Sequence, residues 1–355
     1  MKMLVKFPLI MGIFVLVLAS GCIQETDVTE KISDDDRIVI GLSMASFRVE
    51  RWTSDRDLFI ERANELGAEV NIMSADDDAD LQNRQAENMI LQGVDVLVVV
   101  AHDGEKASYI IDKAHEAGIK VIAYDRLIKD CNLDYYISFD NVKVGEQQAQ
   151  EVVNVVSKGN FAYIGGSPTD NNAFLLKEGS FNVLQPLIDS GDINIVLDNF
   201  TKGWLPELAY ETMKNYLNEN GGRIDAVIAA NDGTASGIIL ALNEFGLAGT
   251  VPVSGQDASL AACQSIVEGT QTVTVYKPIK DIAYKAAEMA VAAANGEIIN
   301  TNNVVNNGQE DVPSYLLDVV AVTKDNIIDT VIEDGFQNYE NVYQNIPEDQ
   351  RPPAV

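Results

Sequence analysis

The sequence predicts an α/β protein of two similar lobes, each built on a parallel sheet with helices over both faces. Three observations predict it. Val/Ile-rich apolar runs alternate with amphipathic helical stretches, the pattern of strands that are buried on both sides. After about Asn141 the series restarts, giving two sets of about five strands each. The chain has 355 residues, 46% of them hydrophobic, more than one compact core usually takes.

The elements follow in order. Lys2 and Lys6 flank the start of an apolar segment, Leu9 to Leu18, which leads into LASGC. This is a secretory signal pattern, too short for the ~20 residues that span a bilayer. The small residues before Cys22 resemble a bacterial lipobox, although Ala19 stands where a large aliphatic residue is usual. A signal peptide over 1–21 and a lipidated Cys22 are therefore expected; ordinary cleavage near Ala19, with Cys22 a stray thiol, is the alternative. Residues 22–37 are polar and acidic and read as a flexible stalk.

The first strand is read from Ile38 to Leu42. A helix is expected from about Thr53 to Leu66, with Phe59, Ala63 and Leu66 on one face and Gly67 as its stop. Strands follow over 68–73, 94–101, 120–124 and 135–139. The helix from Glu105 to Gly118 gathers Ala107, Ile110, Ile111 and Ala114 on one face. In the second series FAYIGG, INIVLD, IDAVIAA, VPVSG and QTVTVY read as strands ending near 166, 198, 230, 255 and 276. Beyond Asp325 the periodicity is weak, and the last dozen residues are expected to be disordered.

Composition excludes several functions. With 25 basic and 54 acidic residues the net charge is −29, which argues against nucleic acid or an anionic bilayer as the main partner. Cys131 and Cys263 show no metal-ligand spacing, and His102 and His115 are the only histidines. GGSPTDNN lacks the GK[ST] of a phosphate loop, and no GxSxG or EF-hand spacing occurs. No metal, cofactor or catalytic nucleophile is expected, so the chain reads as a binding protein and not an enzyme.

In open parallel sheets ligands bind beyond the carboxyl ends of the strands. The residues there are Arg48, Arg51 and Trp52; His102-Asp103; Asp125-Arg126; and Asp140-Asn141. The second series adds Asp170 and Asn172, Asn231 and Asp232, Asp257, and Lys277. Each alone is an ordinary helix cap or strand end. Together they supply carboxylates, carboxamides and cations from both lobes, an inventory that suits a ligand of many hydroxyls. The two tryptophans, Trp52 and Trp204, stand beside these loops, and a flat apolar ring suits the C–H face of a sugar.

The motifs VERW, GVDVLVVV, KVIAYDRLI, YYISFDNVKVGE, YIGGSPTDNNA, KGWLPE, AVIAANDGTASG, VSGQDA, TQTVTVYKPI and NNGQEDVPSYLL, collinear from about Ile38 to Gly335, resemble the D-xylose-binding proteins of bacterial ABC transporters. These belong to the periplasmic-binding-protein superfamily of the ribose-binding type. The resemblance implies two Rossmann-like lobes joined by three crossover strands, closing on one sugar. It places crossings near Asp140, Pro278 and Asn306, hence lobes of 38–140 plus 279–305 and 141–278 plus 306–330. Cys131 and Cys263 then fall in different lobes and are expected as free thiols.

Carried over by motif, Arg51, Trp52, Asp125 and Arg126 would contact the sugar from the first lobe. Asp170, Asn172, Trp204, Asn231, Asp257 and Lys277 would do so from the second. The acidic tail, 331–355, lies outside the pattern and is expected to leave the site untouched. The implied partners are D-xylose or a related monosaccharide and an ABC permease, with a membrane histidine kinase as the alternative partner. A monomer held to the membrane only by its lipid is expected. A repressor with this fold would need a DNA-binding segment where the export signal stands.

Overall fold

A computed structural model describes residues 37–49 and 51–353. The expected signal peptide, Cys22 and the stalk up to Asp36 lie outside the described residues. Strands β1 (Val39–Met44), β2 (Glu69–Ser74), β3 (Val96–Val99), β4 (Lys120–Tyr124) and β5 (Tyr135–Phe139) form the first series. Helices α1 (Arg51–Glu65), α2 (Ala79–Leu91) and α3 (Ser108–Glu116) connect them. The sheet runs β2-β1-β3-β4-β5, all parallel. Every residue of β3 is buried, as its uninterrupted VLVV demands, because helices cover both sides.

Helix α4 (Asn141–Val155) opens the second series. It continues with β6 (Gly159–Gly165), α5 (Asn171–Asp189), β7 (Ile193–Phe200), α6 (Pro206–Asn220), β8 (Ala226–Ala229), α7 (Asp232–Glu244), α8 (Leu260–Glu268) and β9 (Thr274–Tyr276). β7-β6-β8 pair in parallel. The expected strand VPVSG is reduced to isolated bridges, Val253 to Val227 and Gln256 to Val275, which carry the order on toward β9. Helices α4 and α5 pack with their backbones nearly touching. A Cβ on Gly145 would lie 2.0 Å from Leu176 O, and one on Gly179 1.9 Å from Val142 O.

The chain passes three times between the sheets. It leaves the first at Phe139–Asn141 and returns after Tyr276, where α9 (Ile279–Ala294) packs on α1 and on β3, β4 and β5. β10 (Asn303–Asn306) and β11 (Asp311–Leu317) then form an antiparallel hairpin, and β11 pairs in parallel with β5. β12 (Val320–Val322) pairs with β9. The third crossing, expected near Asn306, therefore lies between Leu317 and Val320, and 306–317 belongs to the first sheet. β11 fixes this: its parallel pairing with β5 carries the chain along the first sheet as far as Leu317, with β10 outside it at the edge.

The tail also departs from expectation. Ile327, Val331, Val342 and Tyr343 are buried against Ala258, Cys263, Ile266, Val267 and Tyr276. The segment includes α10 (Tyr339–Val342), and farther on Arg351 pairs with Glu340 at 3.0 Å. The expected disorder of the last dozen residues is thus contradicted up to residue 353: scattered apolar anchors hold the segment without a helical stripe. Cys131 and Cys263 are free and buried.

Candidate functional site

All ten predicted side chains line one cavity between the two sheets, together with Val49 and Gln256. Its first wall starts where β1 ends and α1 begins. Arg51, in the first turn of α1, forks onto Asp55 one turn later (3.2 and 3.0 Å), and Asp55 accepts from Tyr124 Oη at 2.5 Å. The same guanidinium lies 3.1 Å from Asp125 Oδ2 and 3.6 Å from Asp257 Oδ1 of the facing wall. Arg51 and Arg126 both sit near the Trp52 ring, at 4.5 and 5.4 Å from its centroid.

Asp125 leaves β4 with φ +61°, a left-handed conformation that Asp tolerates better than most residues. Its peptide is fixed by donors to its carbonyl: Tyr136 Oη (3.0 Å), Ser138 Oγ (2.8 Å) and, from across the cavity, Asn172 Nδ2 (3.0 Å). Asn172 also donates to Asp125 Oδ1 at 3.0 Å and accepts from Asn141 at 3.0 Å. Arg126 pairs with Asp170 at 2.9 Å, and Asp170 accepts from Trp204 Nε1 at 3.2 Å. Trp204 is itself left-handed (φ +59°) and its ring lies flat against Gly166, where a Cβ would come within 2.1 Å. Three of the seven described non-glycine residues with positive φ, Asp125, Trp204 and Asp257, line the cavity, and such strain is common at functional sites.

Electrostatics favour a neutral polar guest. Arg51, Arg126 and Lys277 face Asp125, Asp170 and Asp257, so opposite charges balance. Burial alone would raise the Asp125 carboxyl, but Arg51, Lys277 and Arg126 outweigh it and hold its pKa below the ordinary value. Burial lowers Lys277, against the pull of Asp125 and Asp257. Its ammonium lies 5.5 Å from the centroid of Phe139 and has no ion pair within 4 Å among the described residues. Burial raises Asp170, partly offset by Arg126. Asp125 Oδ2 and Asp257 Oδ1 are buried and meet only the Arg51 guanidinium, as ion pairs outside hydrogen-bond geometry, and Gln256 Oε1 is buried with no hydrogen-bond donor. Buried acceptors without donors mark a place for a ligand's hydroxyls. Among the described residues no cluster of His, Cys, Asp and Glu could hold a metal, and no helix is long and apolar enough to cross a membrane.

Beyond the cavity rim the lobes touch directly: Gly104 N donates to Thr169 O at 3.2 Å, and Thr169 Oγ1 to His102 O at 3.3 Å. A wider groove opens on another side, past Arg48, Leu205 and Phe336. Sequence reasoning missed Asp55, Tyr124 and Gln256. Asp55 carried a usable signal, an acid four residues after Arg51 on one helix. Gln256 directly precedes Asp257 and went unread. The tail stops short of the cavity lining, at Ala258, whose carbonyl accepts from Gln337 Nε2 at 2.9 Å beside Asp257.

Comparison with known proteins accords with this architecture. The periplasmic binding protein domain family matches residues 40–298. The D-xylose-binding periplasmic protein of Haemophilus influenzae is 52% identical over 86% of this chain and 92% of its own length. That of Escherichia coli is 50% identical over 84% and 91%. A carbohydrate transporter solute binding protein from Chloroflexus aurantiacus, solved in complex with D-glucose, superposes with a TM-score of 0.81. It is 32% identical and covers 86% of this chain and 98% of its own. With its two α/β lobes and cleft, the chain belongs to the periplasmic binding protein family and is a solute-binding protein, not an enzyme.

Proposed function

We propose that this protein captures D-xylose between its two lobes and delivers it to the permease of an ABC transporter, with Arg51, Trp52, Asp125, Arg126, Asp170, Asn172, Trp204, Asn231, Asp257 and Lys277 as the sugar contacts. The observation that carries the reading is the cavity itself: charge-balanced donors and acceptors from both lobes, walled by both tryptophans. The names of the half-identical relatives support xylose among the neutral sugars.

The two rings would cover the sugar's C–H faces. Asp125, Asn172, Asn231, Asp257 and Lys277 would exchange hydrogen bonds with its hydroxyls, and the cross-cavity pairs would hold the lobes closed around it. Binding would shift the lobes toward this closed arrangement, the form that presents both lobe surfaces to a permease together. The protein would be exported and tethered outside the cytoplasmic membrane by a lipid on Cys22, which radiolabelled palmitate incorporation, lost in Cys22→Ser, would test.

Isothermal titration with xylose, ribose, arabinose, glucose and galactose tests the sugar claim. Xylose should bind tightest, well below about 1 mM, which corresponds to about −4 kcal/mol. Binding of xylose weaker than that, or tighter binding of glucose, sinks the specific claim.

A further inference from the structure

The turn Gln256–Ser259 carries Asp257 on two successive left-handed residues, Asp257 (φ +96°) and Ala258 (φ +51°). Neither is glycine, so the turn is strained and persists only because its surroundings hold it. From within the lobe, Asp257 N donates to Val275 O at 2.9 Å, Ala258 N to Thr274 Oγ1 at 3.0 Å and Ser259 N to Asp232 Oδ2 at 2.9 Å. The Ala258 carbonyl accepts weakly from the Cys263 thiol within the lobe, at 3.5 Å, and takes its amide donor from the tail, Gln337, at 2.9 Å. Gln337 is itself fixed by its own N–H on Val331 O at 2.8 Å.

The preceding tail residues reach the neighbouring site strand. Phe336 packs on Tyr276 with centroids 4.9 Å apart, and Tyr276 Oη donates to Asp334. Tyr276 directly precedes Lys277. Val331, Val342 and Tyr343 are buried in the same cluster, apolar anchors that a change at Gln337 leaves in place.

We propose that the segment Asp334–Gln337 is a positioning part of the sugar site: Gln337 fixes the turn that aims Asp257 into the cavity, and Phe336 and Asp334 hold Tyr276, the residue before Lys277, on the side away from the cavity. The proposal rests on the reading of Asp257 as a sugar contact.

The test uses the full chain with Gln337→Ala, with Gln337→Glu (the same shape without the donor), with Asp257→Asn, and with the Gln337 changes in the Asp257→Asn background. Affinity for D-xylose is measured by titration, and the sugar-free melting temperature by calorimetry. Both Gln337 variants should bind xylose about 3- to 10-fold more weakly as the turn loosens, with melting temperatures lowered by no more than a few degrees, the worth of one hydrogen bond. In the Asp257→Asn background the same changes should alter affinity less than about 2-fold, since the two side chains act as one unit. Single variants within about 2-fold of the parent, or an undiminished loss in that background, would overturn the proposal alone. Unchanged affinity in Asp257→Asn by itself would remove the site reading and the proposal with it.

Discussion

Asp125→Asn keeps the size of the side chain, tolerates the left-handed backbone at φ +61° and removes one charge. It is a cleaner probe than Asp125→Ala, which would add backbone strain to the lost contact. The carboxylate is buried, at 3% exposure, and its Oδ2 meets only the Arg51 guanidinium, at 3.1 Å and outside hydrogen-bond geometry. A hydroxyl bound there would make a charge-assisted hydrogen bond of about 1.5–3 kcal/mol. Losing it predicts xylose affinity about 10- to 150-fold weaker, at 1.4 kcal/mol per tenfold.

The fold should survive. Breaking a buried ion pair costs about 3–5 kcal/mol when one charge is left stranded. Arg51 is not stranded here, because its fork onto Asp55 remains at 3.0 and 3.2 Å. A loss of about 1–3 kcal/mol, a few degrees of melting temperature, is the expectation. Titration and calorimetry on one preparation separate the two effects. Unaltered affinity in a folded Asp125→Asn protein would refute the reasoning.

Two further outcomes follow from the same geometry. Gly166→Ala puts a methyl 2.1–2.3 Å from the Trp204 ring, so the indole must move. Xylose affinity should fall at least about 10-fold, with a changed tryptophan emission spectrum and about 1–3 kcal/mol of stability lost; an unmoved spectrum with parent affinity would contradict this. Burial first, and then Asp257, raise Asp232 from 3.8 to about 7, despite donors from Ser259, Gln271 and Thr274. Its folded pKa lies above the unfolded one, so this contribution to stability is complete below about pH 4 and is lost as pH rises toward about 7. The slope is at most about 1.4 kcal/mol per pH unit. Asp232→Asn should flatten the sugar-free melting temperature between pH 4 and 7 relative to the parent, and equal slopes would count against it.

The sequence read well where a local pattern carries the physics. Buried parallel strands are continuous apolar runs, so β1 to β5 stood out, and the strand ends of the two series collected Arg51 and Asp125 from the first and Asp170, Asp257 and Lys277 from the second. It read poorly where a long-range choice decides. β11 contains Pro313, which weakens its strand pattern, and its pairing with β5 depends on partners nearly 180 residues away. VPVSG has strand composition but finds only single bridges. The tail is anchored by individual residues such as Val331 and Tyr343, which leave no periodicity to find. Gln337 shows the same limit beside the site, since nothing local in QNYEN points to a carbonyl 79 positions away.

The most direct measurement is the crystal structure of the protein grown with D-xylose. The account predicts one sugar in the cavity between the lobes, its ring flanked by Trp52 and Trp204 and its hydroxyls within hydrogen-bond reach of Asp125, Asn172, Asn231, Asp257 and Lys277. Xylose bound outside that cavity, or held there without contact to residues of both lobes, would contradict it.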